Sequence, residues 1–375
     1  MAKKTIRRTY KYQLYEAKKN KYLDERIEIA RQIWNHCLAL QKRYYRMFGK
    51  YISANRLKVF IARLRRRKYA FWKGLGSQAV QDVVERLDRS YQAFFAWCKT
   101  RSGKRKSPPK FKKRWKYNSF TLKQAGYRID GNVIRIMDKN FKFWFHRPYS
   151  GIVKTVTVKR TAHGDYYIYL SVEEEVFIPD THTGHAVGID FGLKTFLTLS
   201  DGKKIESPQW MLHDLKAIRE ANRNLSRKKK CSKNRKRARI HYAKVHEDIS
   251  NRRRDWFFKT ARALTLEYSV ICIEDLNLFG MQRLWGRKIS DLAYSEFVKI
   301  LEYEAMLNGC TVVKVDRWFP SSKTCHCCGA INDSLELKDR NWVCPACGAN
   351  HDRDGNAAIN ILNQGLSQLG VTTAA

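Results

Sequence analysis

The chain has 375 residues, with 74 Lys and Arg against 35 Asp and Glu, a formal charge of +39 and a pI near 10.0. That length holds two or three domains with cores of their own, and charge on this scale drives counterion release from a polyanion, which points to a nucleic acid. A basic tail alone, as on a ribosomal-type or membrane-surface protein, would not bring 13% aromatic residues. No run of about 18 apolar residues occurs, so no transmembrane helix is expected. Met1-Ala-Lys-Lys-Thr-Ile-Arg-Arg lacks the apolar stretch of a signal peptide. Of the ten cysteines, five lie between Cys325 and Cys347, while Cys37, Cys98, Cys231, Cys272 and Cys310 are scattered, as core-filling thiols of a reducing cytoplasm are.

Thr9-Tyr-Lys-Tyr-Gln-Leu14 alternates with the period of a strand, and behind it Leu23, Ile27, Ala30, Trp34, Cys37 and Leu38 recur at helical spacing. A second helix carries Leu57, Phe60, Ile61 and Leu64. A third starts at Ser77 as its N-cap and stripes Val80, Val84, Leu87, Tyr91, Phe94 and Phe95. These stripes read as core, and Arg65-Arg66-Arg67-Lys68 as a solvated face. From Arg101 to Lys116 lie nine basic residues and no acid, broken by Ser107-Pro108-Pro109. This is a loop with phosphate-binding potential, and Lys112, Lys113 and Arg114 are its candidate nucleic-acid contacts. Beyond it the period changes to two. Ser119–Leu122, Asn132–Ile136, Lys142–Phe145, Val153–Val158 and Tyr166–Val172 read as strands, with turns at Asp130-Gly131 and His163-Gly164-Asp165. A small antiparallel barrel or sandwich follows, which the strand near residue 10 could complete, leaving the helices as an insertion.

The second half starts near Thr183-Gly184. Ala186-Val187-Gly188-Ile189 delivers Asp190 to a sheet edge, and Val270-Ile271-Cys272-Ile273 does the same for Glu274. A hairpin turns at Asp201-Gly202 between Phe196–Ser200 and Lys203–Glu206. Long helices are expected over 209–226 and 236–267, a further one over 291–307, and a strand over Thr311–Val315. Ten Lys or Arg and no acid fall between Arg223 and Arg239, a density that favours phosphate contact by Lys228, Lys229, Lys230 and Arg237 over an idle solvated face. Asp354 precedes Ile359-Asn360-Ile361-Leu362 and sits at a helix start. Acids at strand ends in a strand, hairpin, helix, strand, helix order are the plan of an RNase H-type sheet. Three such carboxylates suit phosphodiester chemistry, in which two divalent cations about 3.5–4 Å apart are clamped by hard oxygen ligands.

Cys325-His-Cys-Cys328 and Cys344-Pro-Ala-Cys347 are separated by fifteen residues, the spacing of a four-cysteine structural zinc site with Cys325, Cys328, Cys344 and Cys347 as ligands. Gly329 and Gly348 permit the tight turn after each knuckle. His326 and Cys327 fall inside the first knuckle and are not expected to be ligands, although Cys327 could stand in for a neighbour. A redox dithiol is the alternative, against which two matched pairs argue.

The segments Gly188-Ile-Asp-Phe-Gly192, Ile273-Glu-Asp-Leu276, Ser321-Ser-Lys-Thr-Cys325, Cys344-Pro-Ala-Cys-Gly348 and His351-Asp-Arg-Asp-Gly-Asn-Ala-Ala358 closely resemble the TnpB family of insertion-sequence proteins, regarded as ancestors of compact type V CRISPR nucleases. The resemblance implies a mixed α+β and α/β multidomain chain. Residues 1–14 and 117–182 would form a wedge-type β-barrel, with 15–116 a helical recognition insertion. Residues 183–320 and 349–375 would form a RuvC-like, RNase H-like nuclease domain, with 321–348 an inserted zinc ribbon.

The resemblance also implies an RNA-guided DNA endonuclease in which Asp190, Glu274 and Asp354 bind Mg2+ (or Mn2+). Its partners are guide RNA from the flanking element and double-stranded target DNA, it cuts beside a short target-adjacent motif, and it works in the nucleoid-associated cytoplasm of a prokaryote, with no membrane. Asp352 rivals Asp354, which holds the family position before x-Asn-Ala-Ala, and Asp275 is read as a structural neighbour. The other classes are a nuclease-inactive RNA-guided DNA-binding regulator, which the presence of all three acids disfavours, and a DDE-type transposase performing strand transfer with similar acids on a similar sheet. A Tyr or Ser recombinase would need an activating cluster, and none emerges among the nineteen tyrosines.

Overall fold

The computed structural model describes residues 2–101, 105–179, 185–192, 195–276, 292–336 and 338–370. The expected chain boundary at Thr183-Gly184 lies outside them, as does Asp291, the first residue of the helix expected over 291–307. The chain divides into two units, Thr5–Glu175 and Val176–Ala375 with Met1–Lys4.

In the first unit, β1 (Ala2–Gln13) is followed by α1 (Lys21–Phe48), α2 (Ala54–Arg66) and α3 (Ser77–Thr100). Six more strands follow: β2 (Ser119–Leu122), β3 (Tyr127–Asp130), β4 (Val133–Ile136), β5 (Lys139–Lys142), β6 (Ile152–Arg160) and β7 (Tyr166–Ile178). They form a four-stranded sheet in the order β1-β7-β6-β2 and a three-stranded sheet in the order β3-β4-β5. The chain leaving β1 reaches both sheets, since Leu14 N donates to Tyr166 O at 2.8 Å while Trp144 N donates to Gln13 O at 2.9 Å. The strand near residue 10 thus joins strands more than a hundred residues later, with the helices intervening. Leu23, Ile27 and Ile33 of α1 share one core with Tyr12, Phe120, Phe141 and Ile168 of the sheets.

Two details differ from the sequence reading. Ser77 is the first helical residue, not the cap, and Gly76 holds the cap position with no side-chain bond. The strand expected over Lys142–Phe145 is β5, three residues earlier, because Met137 at φ 54° turns the chain so that Lys139 pairs with Ile136.

The second unit contains β8 (His185–Phe191), β9 (Thr195–Leu199), β10 (Lys204–Glu206), α4 (Trp210–His213), α5 (Leu215–Arg227) and α6 (Lys233–Glu267). Then come β11 (Tyr268–Glu274), α7 (Tyr294–Asn308), β12 (Thr311–Val315), a two-stranded ribbon of β13 (Asn341–Val343) and β14 (Asn350–Asp352), and α8 (Arg353–Gln368). The main sheet runs β10-β9-β8-β11-β12, with β11 parallel to both β8 and β12, and β9 antiparallel to its neighbours. Alternation sorts its faces. Val187, Ile189, Phe191, Ile271 and Ile273 pack with Phe257, Leu264, Phe297 and Leu301 of α6 and α7. On the opposite face Cys272 packs with Val313, Val315 and Ile361 of α8. The helix expected over 209–226 is broken at Asp214, whose carboxylate pairs with Arg252 of α6. Among the described residues no helix is long and apolar enough to cross a membrane.

Candidate functional site: an acidic sheet edge beside a four-cysteine ribbon

In the parallel ladder Cys272 pairs with Gly188 and Ile273 with Ile189, so Glu274 and Asp190 come next to each other at the strands' C-terminal ends. Both acids share the face covered by α8, because each lies two residues beyond a position that touches this helix. Gly188 is one such position. A Cβ there would lie 2.0 Å from Ala358 O and 2.6 Å from Leu362 N, so only glycine admits α8 at this distance. Gly365 meets Cys272 in the same way, where a Cβ would lie 2.3 Å from its Sγ. Asp354 stands four residues before Ala358. Four helical residues rise about 6 Å and two strand residues span about 6.6 Å, so the turn that seats Ala358 on Gly188 carries Asp354 to the level of Asp190.

The charges behave as such an assembly demands. Burial, then the Asp354 and Glu274 carboxylates, push the Asp190 carboxyl up to about 7, against a weaker opposing pull from Arg353. Burial and the adjacent Asp275 raise Glu274 to about 6. Asp354 is held by Arg340 Nη1 at 2.7 Å and Arg353 Nη2 at 3.5 Å. Asp352 instead stands at the N-cap position of α8, makes no side-chain bond to the helix and pairs with Lys204 at 3.0 Å, and Asp275 pairs with Arg317. Among the described residues the only sets of three or more ligand atoms all within 4.8 Å of one another contain cysteine, so the three carboxylates sit wider apart than a single-ion site. Mutually repelling carboxylates are hard oxygen donors of the kind whose charge a divalent cation would balance. Tyr294, which the sequence reading did not single out, is buried beside Asp190. Burial and the Asp190 charge hold its phenol well above the usual range, so it stays protonated and donates to Gly192 O at the end of β8.

In the ribbon, each knuckle closes in the same way. Gly329 N donates to Cys325 O and Gly348 N to Cys344 O, both at 2.9 Å, with the glycines at φ 76° and 73°. The four Sγ atoms of Cys325, Cys328, Cys344 and Cys347 all lie within 4.8 Å, with Cys325–Cys347 at 3.7 Å and Cys328–Cys344 at 3.6 Å. A tetrahedral zinc with Zn–S of about 2.3 Å needs sulfurs about 3.8 Å apart, so the cluster fits the ion. The sequence reading passed over His351, whose Nε2 lies 3.1 Å from Cys325 Sγ and which belongs with Cys325 and Cys327 to a second close group.

The ribbon and the acids are joined through α8. Asn356 and Asn360, one turn apart and buried, donate to Thr324 O at 2.7 and 2.6 Å, and Asn360 also donates to Ser321 O at 2.9 Å. Asn356 Oδ1 accepts from His326 N at 3.0 Å. Arg353 N donates to Arg340 O at 2.7 Å beside the Arg340–Asp354 ion pair. The Asn-Ala-Ala run after Asp354 thus has a packing meaning: asparagine toward the ribbon, small residues toward the sheet.

Lys228, Lys229, Lys230 and Arg237 are all exposed at the α5–α6 junction. Arg235 in the same stretch is not equivalent, since its Nη1 donates to Leu225 O and Lys228 O at 2.9 Å each and pins the turn. Lys112, Lys113 and Arg114 lie on a segment strapped to α1, where Asn35 Nδ2 donates to Lys112 O at 3.0 Å and Asn35 Oδ1 accepts from Lys112 N at 2.8 Å. Lys113 and Arg114 are exposed, and Lys112 is half-buried.

Comparison with known proteins follows the same lines. A family model described as "Probable transposase" matches residues 169–284, and one described as "Cas12f1-like, TNB domain" matches residues 294–361. A "Putative RNA-guided DNA endonuclease" of Streptomyces pristinaespiralis is 33% identical, over 96% of this chain and 90% of that protein. InsQ of Escherichia coli (strain K12), described in the same words, is 28% identical over 91% of this chain and 87% of its own. A chain of the Cas12f1-sgRNA-target DNA complex shares the fold, with a TM-score of 0.59 at 13% identity, over 96% of this chain and 99% of that one.

Proposed function

The chain belongs to the TnpB family, and we propose that it is a metal-dependent, RNA-guided DNA endonuclease encoded by a transposable element. The observation that carries this reading is the layer formed by Asp190 and Glu274 on adjacent parallel strands, with Asp354 brought to it by the turn of α8 that rests on Gly188. In this reading Asp190, Glu274 and Asp354 hold Mg2+ or Mn2+. Bound there, the cations supply a nucleophilic water at neutral pH and stabilise charge on the leaving oxygen. The chain's own part is preorganisation. The sheet fixes two carboxylates in register, α8 fixes the third, and Arg340 and Arg353 restrain Asp354 through ion pairs. Zinc in the Cys325, Cys328, Cys344 and Cys347 cluster holds the ribbon that carries Arg340.

Specificity in this reading comes from base pairing with a guide RNA, and the protein contributes charge and a local motif reader. Residues 1–14 and 117–182 (wedge-type barrel) and 15–116 (recognition helices) hold the guide and read the motif beside the target. Residues 183–320 and 349–375 form the RuvC-like domain around the 321–348 ribbon.

The test is to express the chain with its flanking DNA and sequence the RNA that copurifies. The purified complex is then assayed with Mg2+ on plasmids matching the RNA's variable end. One dominant structured RNA and a cut at the matching sequence are expected. Absence of bound RNA, or joined products in place of cut ends, overturns the reading in favour of a strand-transferring transposase.

A further inference from the structure

Trp318 is 81% exposed, the most exposed large apolar side chain among the described residues. A single exposed apolar residue is ordinary on a protein surface, so what distinguishes this one is where it sits and how it is held. Val315, the last residue of β12, is the register partner of Glu274, and Asp275 N donates to Val315 O at 3.0 Å. Trp318 follows three residues later, within about 10 Å of chain from the acidic edge. The backbone on both sides is clamped. Arg317 is ion-paired with Asp275, Trp318 N donates to Asp316 Oδ1 at 2.7 Å, and Phe319 N donates to Asp316 O at 3.1 Å. Phe319 packs into the core formed by Cys272, Val313, Val315 and Ile361 under α8. A mobile loop would let its tryptophan fold back onto apolar surface, whereas this backbone leaves the indole in water at the end of the sheet that carries Glu274. A bare, rigid aromatic face at the rim of a phosphodiester site suits a nucleobase. Stacking on an aromatic side chain is sequence-tolerant, because every base has a π-face.

We propose that Trp318 is a stacking platform for a base of the single strand entering the Asp190, Glu274 and Asp354 site, and that it sets which phosphate reaches the acids. The proposal rests on the nuclease reading above. Trp318 is a positioning residue under it, acting on the substrate's register and leaving the chemical step unchanged.

The test uses the RNA-loaded protein and a single-stranded DNA substrate in Mg2+, with an abasic site walked one nucleotide at a time past the cut. For the parent, one abasic position is expected to lower kcat/KM by about 5- to 100-fold. Trp318→Ala loses the same amount on intact DNA, loses nothing more at that abasic position, and spreads its cuts over neighbouring phosphates. Trp318→Phe restores most of the loss. Losses that multiply when variant and abasic site are combined, or cut positions and kcat/KM unchanged in Trp318→Ala, overturn the proposal. A parent that cuts no DNA under any metal condition defeats the nuclease reading itself, an outcome distinct from a parent and a Trp318→Ala variant that cut alike.

Discussion

At Gly188 a hydrogen atom stands where any other residue would put a methyl group against the backbone of α8. The nearest obstacles, Ala358 O and Leu362 N, are backbone atoms that cannot rotate away. Gly188→Ala must therefore lift α8 from the sheet, at about 3 kcal/mol, the upper part of the usual overpacking range. It should also lower cleavage, because Asp354 moves with the helix; unchanged unfolding midpoint and activity would refute this packing role. The acids themselves make a sharper case. Asp190→Ala, Glu274→Ala and Asp354→Ala should each reduce DNA cleavage by at least ~10²–10³-fold while target binding persists, since each removes electrostatic stabilisation and little buried apolar area. Asp352→Ala should keep cutting, because the Asp352 carboxylate is paired with Lys204. A cleavage assay that finds the reverse pattern would reassign the third ligand.

The same carboxylates set a pH dependence. Asp190 is raised from 3.8 to about 7, so the folded protein without divalent cations holds this proton more tightly than the unfolded chain does. The resulting stability is fully present below about pH 4 and is lost as pH climbs through about 7. Glu274 adds a smaller contribution of the same sign, lost by about 6. Mg2+ favours the ionised forms, so its stabilisation should grow over the same window. Melting curves from pH 5 to pH 8, with and without Mg2+ and without chelators that would strip zinc, test this. Asp190→Asn should flatten the difference, and a Mg2+ effect that is constant with pH would count against a carboxylate site.

At the scale of elements, α8 ties the acidic sheet edge to the four-cysteine ribbon. Its first turn carries Asp354, its buried Asn356 and Asn360 grip the backbone at Ser321 and Thr324, and the ribbon returns Arg340 to Asp354. Metal analysis should therefore give one zinc per chain, lost in Cys325→Ser or Cys347→Ser. Loss of zinc should raise amide exchange not only in the ribbon but also over residues 353–358, and cleavage should fall with all three acids intact. Exchange confined to residues 321–348 would mean that the asparagines do not transmit the ribbon's order. Much of this arrangement was legible in the sequence. Apolar runs ending in Asp190 and Glu274 state two strands and their edge, and paired C-x-x-C knuckles state a ribbon. What escaped depended on distant partners. The Met137-Asp138 turn carries no glycine or asparagine to announce it, and Asp214, at the break in the helix, pairs with Arg252 from a distant element. His351 and Asn356 read as neutral residues in a motif until the fold brings Cys325 and Thr324 against them.

Over the whole molecule, a charge of +39 is more than solubility requires, and the question is how much of it meets phosphate. The stretch from Arg223 to Arg239 separates two uses of the same residue type. Arg235 spends its hydrogen bonds on Leu225 O and Lys228 O, whereas Lys228, Lys229, Lys230 and Arg237 leave their charges in water. Neutralising those four should leave the α5–α6 turn and the melting temperature in place. If they bind phosphate, the slope of log affinity for target DNA against log salt should become shallower by roughly 0.9 for each phosphate no longer neutralised, up to about 3.6 for all four. Matched and mismatched targets should weaken alike, because phosphate carries no sequence. Equal slopes for parent and variant would make the stretch an idle solvated surface, and a weakening confined to one target sequence would make it a reader of bases. Arg235→Gln in parallel should instead lower the melting temperature, since removing it releases two carbonyls at the turn, and this separates charge used for binding from charge used for folding.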